Sequence, residues 1–213
     1  MRVRAILGPA FPAAGNAYRR VFVDVRKVAA AIPDLGQDAV LLDVGGGDGA
    51  ILNPLLDRQP TLRVVAVDLA ENIGSMVRPD LLGRVDMHPG TPVRELAKVT
   101  GRTYAAAFLS DVLHHVPPAE REQLLRDVLG ALGGGSRTLI VKDIIPQGAR
   151  SALAFWADRN ISGDRGVQAI SPTELVDLVR VVWPDAQVTR TPLADVDFPN
   201  YCLVFTDRPP AID

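Results

Sequence analysis

Apolar positions along this chain follow two periods. Val40-Leu41-Leu42-Asp43-Val44 and Arg63-Val64-Val65-Ala66-Val67-Asp68 are nearly continuous apolar runs of strand length. The second reads as a central parallel strand, buried on both faces. Shorter runs at 84–88, 105–110 and 137–142 predict three more strands, and two closing strands are expected at about 186–191 and 201–206. Between them the spacing turns helical. Ala50, Ile51, Leu52, Leu55 and Leu56 predict a helix ending near Asp57, and Val21, Val25, Val28 and Ala29 predict one over 17–31 that stops before Pro33. Pro117-Pro118 opens a helix carrying Leu124, Leu125, Val128, Leu129 and Leu132, closed by Gly133-Gly134-Gly135. Ser171-Pro172-Thr173-Glu174 has the form of a capping box and starts a helix to about Val182. Strands alternating with helices predict an α/β domain with a largely parallel sheet.

Composition narrows the picture modestly. The chain has 213 residues, 47% hydrophobic and 23% charged, which suits one globular domain with a substantial core. A net charge of −2 gives no electrostatic case for nucleic acid or an anionic membrane. The single cysteine, Cys202, excludes an intrachain disulfide and a cysteine-cluster metal site, and fits a cytoplasmic location. No apolar run approaches the ~20 residues of a membrane span. Gly8, Pro9 and Pro12 interrupt the start of the chain, so no signal peptide is expected.

The chemistry concentrates at Asp43-Val44-Gly45-Gly46-Gly47-Asp48-Gly49, where the first strand runs into glycines ahead of a helix. Glycines there permit positive φ and a backbone approach that a Cβ would block. The helix start beyond them offers unpaired N–H groups to an anion. Asp43 is more telling. An acid at the strand mouth would repel a pyrophosphate but would attract an ammonium. Asp68, at the end of the second strand and about twenty residues past the glycines, suits paired ribose hydroxyls, or else caps the next segment.

The pattern Asp43-x-Gly45-x-Gly47-x-Gly49, with Asp111-Val112-Leu113-His114-His115-Val116-Pro117 after the fourth strand, closely resembles class I S-adenosylmethionine-dependent methyltransferases of the small-molecule type. The resemblance covers about residues 17–206. It implies a Rossmann-like α/β fold: a seven-stranded, mostly parallel sheet with helices on both faces and an antiparallel last strand. It implies one domain over 1–213, with an N-terminal arm and cap helix at 1–36 and a substrate-side excursion at 144–170. The implied cofactor is S-adenosylmethionine, held by Asp43, Gly45, Gly46, Gly47, Asp68, Leu69, Thr91 and Asp111, with Tyr18 reaching in from the cap helix or merely packing. Two departures stand out. Gly90-Thr91 replaces the usual Gly-Asp, whose carboxylate accepts a bond from the adenine amino group, and Tyr104-Ala105 stands where an Asp is usual.

His114 and His115 are the candidates for a base that removes a hydroxyl proton, with His114 favoured, or else they only line the pocket. Asp143, Phe155, Trp156 and Asn160 are the candidate substrate contacts. Asp111 and Asp143 end adjacent predicted strands and can approach each other. No metal is expected, because Lys142 precedes Asp143 and no Asn follows it, unlike the catechol-type pattern. The resulting expectation is methyl transfer to a small molecule, a secondary metabolite in character, with O-methylation favoured over N- or C-methylation. A homodimer is the oligomer considered. Two alternatives stay open: an NAD-dependent oxidoreductase, and a cofactor-binding regulator or cyclase that does not methylate.

Overall fold

The computed structural model describes residues 24–133, 137–145, 167–190 and 200–207. Tyr18, Phe155, Trp156 and Asn160, the expected arm and most of the expected excursion lie outside the described residues.

Seven strands form one sheet: β1 Val40–Val44, β2 Arg63–Val67, β3 Val85–His88, β4 Ala106–Ser110, β5 Thr138–Ile144, β6 Gln187–Arg190 and β7 Asn200–Thr206. Their order is β3-β2-β1-β4-β5-β7-β6. Neighbours from β3 through to β5 pair in parallel, and β7 runs antiparallel to both β5 and β6. The expected fold is therefore the observed one, with the last strand reversed and inserted one place in from the edge.

Alternate residues of each strand feed two cores, as the pleat requires. Leu42, Val44, Val65, Val67, Leu139 and Val141 join α3 (Val93–Thr100), α4 (Pro118–Ala131) and α5 (Pro172–Val182). Leu41, Val64, Ala66, Phe108 and Ile140 join α1 (Val25–Ala31) and α2 (Leu52–Arg58). Each fully buried Leu or Val contributes about 1.5–3 kcal/mol, so double-sided burial fixes the strand register firmly. No helix among the described residues is long and apolar enough to cross a membrane.

The helix caps follow local chemistry. Asp24 accepts from the backbone N–H groups of Arg26 and Lys27 at 3.0 and 3.4 Å and starts α1. Ser171 and Glu174 form the expected capping box at α5. Two boundaries and one whole helix differ from the sequence expectation. α2 begins at Leu52, because residues 46–52 are taken up by turns closed by Gly49 N–H to Gly46 O and Leu52 N–H to Gly49 O, both 3.0 Å. α3 was not evident, since among its described side chains only Val93 and Leu96 are buried apolar ones. β5 runs on through Lys142 and Asp143 to Ile144, because both charged side chains find partners.

Sequence order reverses between β1 and β4: β2 and β3 lie on one side, β5 on the other. In open α/β sheets the ligand crevice lies outside the carboxyl ends of the strands at such a switch point. Asp43, Asp68, Asp111 and His114 all lie at or just beyond those ends.

Candidate active site

Gly45 and Gly46 turn the chain out of β1, both donating to the Val67 carbonyl at 2.8 and 3.2 Å. Gly45 has φ +72°, and a Cβ there would stand 2.5 Å from Val112 Cγ2. Glycine is thus required sterically as well as conformationally. Beneath the turn lies Asp43, only 4% exposed. Its Oδ2 is 3.1 Å from the place a Cβ on Gly46 would take. Its carboxyl makes no hydrogen bond among the described residues. Burial, and after it the charge of Asp68, push the Asp43 carboxyl up to about 7. A buried acid left without a partner is costly, and a cationic group brought to it would relieve that cost.

Asp68 faces the same turn from β2. Its Oδ2 accepts from Gly47 N–H at 3.0 Å and its Oδ1 from Ala70 N–H at 2.9 Å. Each oxygen keeps a lone pair for a ligand hydroxyl. The next residue, Leu69, is 75% exposed. Thr91 closes the lip: its N–H bonds to Asp68 O at 3.0 Å, and its hydroxyl donates to Pro89 O at 3.1 Å. The expected cofactor residues of β1, β2 and the β3 loop thus line one edge of the crevice. An acid with no hydrogen-bond partner among the described residues, a glycine turn, a second acid and an exposed apolar side chain lie together there.

Across the crevice, β4 ends in Asp111, which has φ +58°. Both of its carboxylate oxygens receive the Lys142 ammonium at 2.7 Å. Burial pulls the Asp111 carboxyl upward, but Lys142, helped by His114, outweighs it and holds the group below the usual carboxylate range. Lys142 is fully buried while the Asp111 side chain is 33% exposed. In the sequence Lys142 stands out only as a departure from the catechol-type pattern. A lysine inside an apolar strand was itself the signal that an acid must lie opposite.

His114 and His115 occupy a single 3-10 turn, Leu113–His115, pinned by Gln168 N–H to the His114 carbonyl at 2.8 Å. The two rings are 4.1 Å apart, centroid to centroid. His114 is buried and His115 exposed. His114 Nδ1 lies 2.6 Å from Asp143 Oδ1, which also accepts from Ile144 N–H at 2.8 Å. Asp143 is wholly buried within β5, opposite Tyr201 of β7. Asp143, expected as a substrate contact, is engaged by the His114 ring and by its neighbour's N–H, because β5 continues past it. One ligand atom from each of Asp111, His114 and Asp143 lies within 4.8 Å of the others. A cation bound there would have to compete with Lys142 for Asp111.

A family model described as a methyltransferase domain matches residues 16–181. O-methyltransferase kk1A from Curvularia clavata is 32% identical over 111 residues, which is 52% of this chain and 25% of that protein. A 6-hydroxytryprostatin B O-methyltransferase from Aspergillus fumigatus is 30% identical over 131 residues, 61% of this chain and 36% of that protein. The chain therefore spans about a quarter to a third of the length of these curated relatives. Among solved structures, an O-methyltransferase family 2 protein from Planctomyces limnophilus, in complex with apigenin, superposes with TM-score 0.70 at 18% identity, over 98% of this chain and 62% of that one. The CurJ carbon methyltransferase gives TM-score 0.68 at 12% identity, over 98% and 62%. The shared fold does not by itself distinguish oxygen from carbon acceptors.

Proposed function

The chain belongs to the methyltransferase-domain family, and from that premise we propose that it transfers a methyl group from S-adenosylmethionine to a hydroxyl oxygen of a small molecule. The observation that carries this reading is the pairing of two features at one crevice: Asp43, with no hydrogen-bond partner among the described residues, under the glycine turn, and His114 backed by Asp143. The O-methyltransferases among the relatives support the oxygen acceptor.

When bound, S-adenosylmethionine supplies an electrophilic methyl and its own leaving group. Asp43 receives the ammonium of the methionine end, and that contact offsets the burial of both charges. Asp68 accepts from the ribose hydroxyls while Gly47 N–H and Ala70 N–H hold its carboxylate in place. Such positioning is worth up to about 7–11 kcal/mol in a displacement. Asp143 accepts a hydrogen bond from His114 Nδ1–H, so Nε2 carries the lone pair of the neutral ring. His114 then takes the acceptor's hydroxyl proton at Nε2, and Asp143 stabilises the imidazolium that results. A base in this role contributes roughly 10²–10⁴-fold.

The small-molecule acceptor suits a chain whose net charge of −2 offers nothing to nucleic acid. The test is calorimetry with S-adenosylhomocysteine and with NAD, followed by mass-spectrometric detection of methylated products from a panel of phenols, hydroxy acids and amines. Binding of S-adenosylhomocysteine with products confined to hydroxyl acceptors is the expected result. NAD binding in its absence would overturn the reading.

A further inference from the structure

Adenine presents an amino group that needs an acceptor, and Thr91 is a poor one. Its hydroxyl proton is given to Pro89 O, and it carries no charge. A carboxylate does reach the same lip, from the other loop. Glu71 lies three residues beyond Asp68, and its side chain folds over Gly90: a Cβ on Gly90 would stand 3.1 Å from Glu71 Oε1 and 3.5 Å from Oε2. Gly90 has φ +63°, a backbone conformation that favours glycine. The two loops are laced together by Asp68 N–H to His88 O at 3.4 Å, Gly90 N–H to Ala70 O at 3.1 Å and Thr91 N–H to Asp68 O at 3.0 Å. The Glu71 carboxylate forms no hydrogen bond or ion pair among the described residues. Beside it, Leu69 offers an exposed apolar surface for a ring face.

Resting on the methyl-transfer reading, we propose that Glu71 is the residue that selects adenine, accepting a hydrogen bond from its exocyclic amino group in place of an acid at position 91. An ionised carboxylate only accepts, so it favours a 6-amino purine and opposes a 6-oxo purine, whose oxygen would face it lone pair to lone pair. A site built on a specific polar pair rejects the analogue lacking it, because its own group is left unpaired. The shift of the acid from the β3 loop to the β2 loop explains why Thr91 is tolerated.

The test is calorimetric binding of S-adenosylhomocysteine and S-inosylhomocysteine, which differ in the group at purine position 6 and in the proton on N1, to the wild type and to Glu71→Gln. The wild type should prefer the adenosyl ligand by about tenfold or more, as expected for a hydrogen bond to a charged group. Glu71→Gln is isosteric, and its amide can donate to the 6-oxo group, so the preference should narrow to near unity or reverse. An unchanged preference in Glu71→Gln overturns the assignment while leaving methyl transfer intact. Failure of the wild type to bind S-adenosylhomocysteine overturns the functional reading and the assignment together.

Discussion

His114 Nδ1 and Asp143 Oδ1 are 2.6 Å apart, both buried, and joined across 29 residues of sequence. The contact fixes one tautomer of the ring and supplies a counter-charge when the ring is protonated. Asp143→Asn retains the size but removes that counter-charge. It should lower kcat by about 10²-fold or more while leaving S-adenosylhomocysteine affinity within a factor of about two. His114→Ala should fall as far, and the double variant no further, since the two act as one unit. Rapid-quench turnover and calorimetry on the three variants check this. Full turnover in Asp143→Asn would reduce the pair to a packing role.

Asp43 gives cofactor binding a pH dependence. Its carboxyl titrates at about 7 in the free protein, yet it must be ionised to hold an ammonium. Affinity for S-adenosylhomocysteine should fall by up to about tenfold per unit as pH drops below 7, and binding near neutrality should release a proton. Calorimetry in buffers of differing ionisation enthalpy measures that proton directly. A flat profile between pH 6 and 8 would contradict it.

The same group sets a stability trend in the cofactor-free protein. A folded pKa raised from 3.8 to about 7 means the native state binds more protons than the unfolded one within that window. The contribution of Asp43 to stability is therefore largest at low pH and is lost as pH rises to 7. Asp43→Asn should melt above the wild type at pH 8, and the gap should shrink towards pH 5. It should also bind S-adenosylhomocysteine poorly, trading function for stability.

Lys142 and Asp111 pair where β4 and β5 lie side by side, and the ammonium is wholly buried. Lys142→Met leaves the carboxylate without its counter-charge and should cost about 3 kcal/mol, the low end for a broken buried pair because Asp111 stays partly exposed. Adding Asp111→Asn should recover most of that loss. Urea denaturation of the single and double variants decides it, and additive losses would sink the pairing.

Lys142 also bears on metal dependence. With both Asp111 oxygens taken by an ammonium at 2.7 Å, a divalent cation held by Asp111, His114 and Asp143 would have to displace Lys142 from Asp111. Methyl transfer should be unchanged after exhaustive chelation. Activity lost to chelator and restored by magnesium or zinc would show the opposite.

The sequence by itself determined most of the sheet and half of the crevice. Apolar runs of strand length, helical spacing, the Ser171-Glu174 capping box and the glycines after Asp43 are local signals, each complete within a few residues. They placed β1, β2 and β4 almost to the residue and set Asp43, Asp68 and Thr91 at or just past the ends of their strands. The tertiary structure alone decided who partners whom. Lys142 and Asp143 are adjacent in the chain, and strand alternation sends their side chains to opposite faces, one to Asp111 and the other to His114. Glu71 meets Gly90 only because the two loops hydrogen-bond to each other. Charge pairing depends on register between strands and on the seating of one loop against another, and no local pattern of residues encodes that.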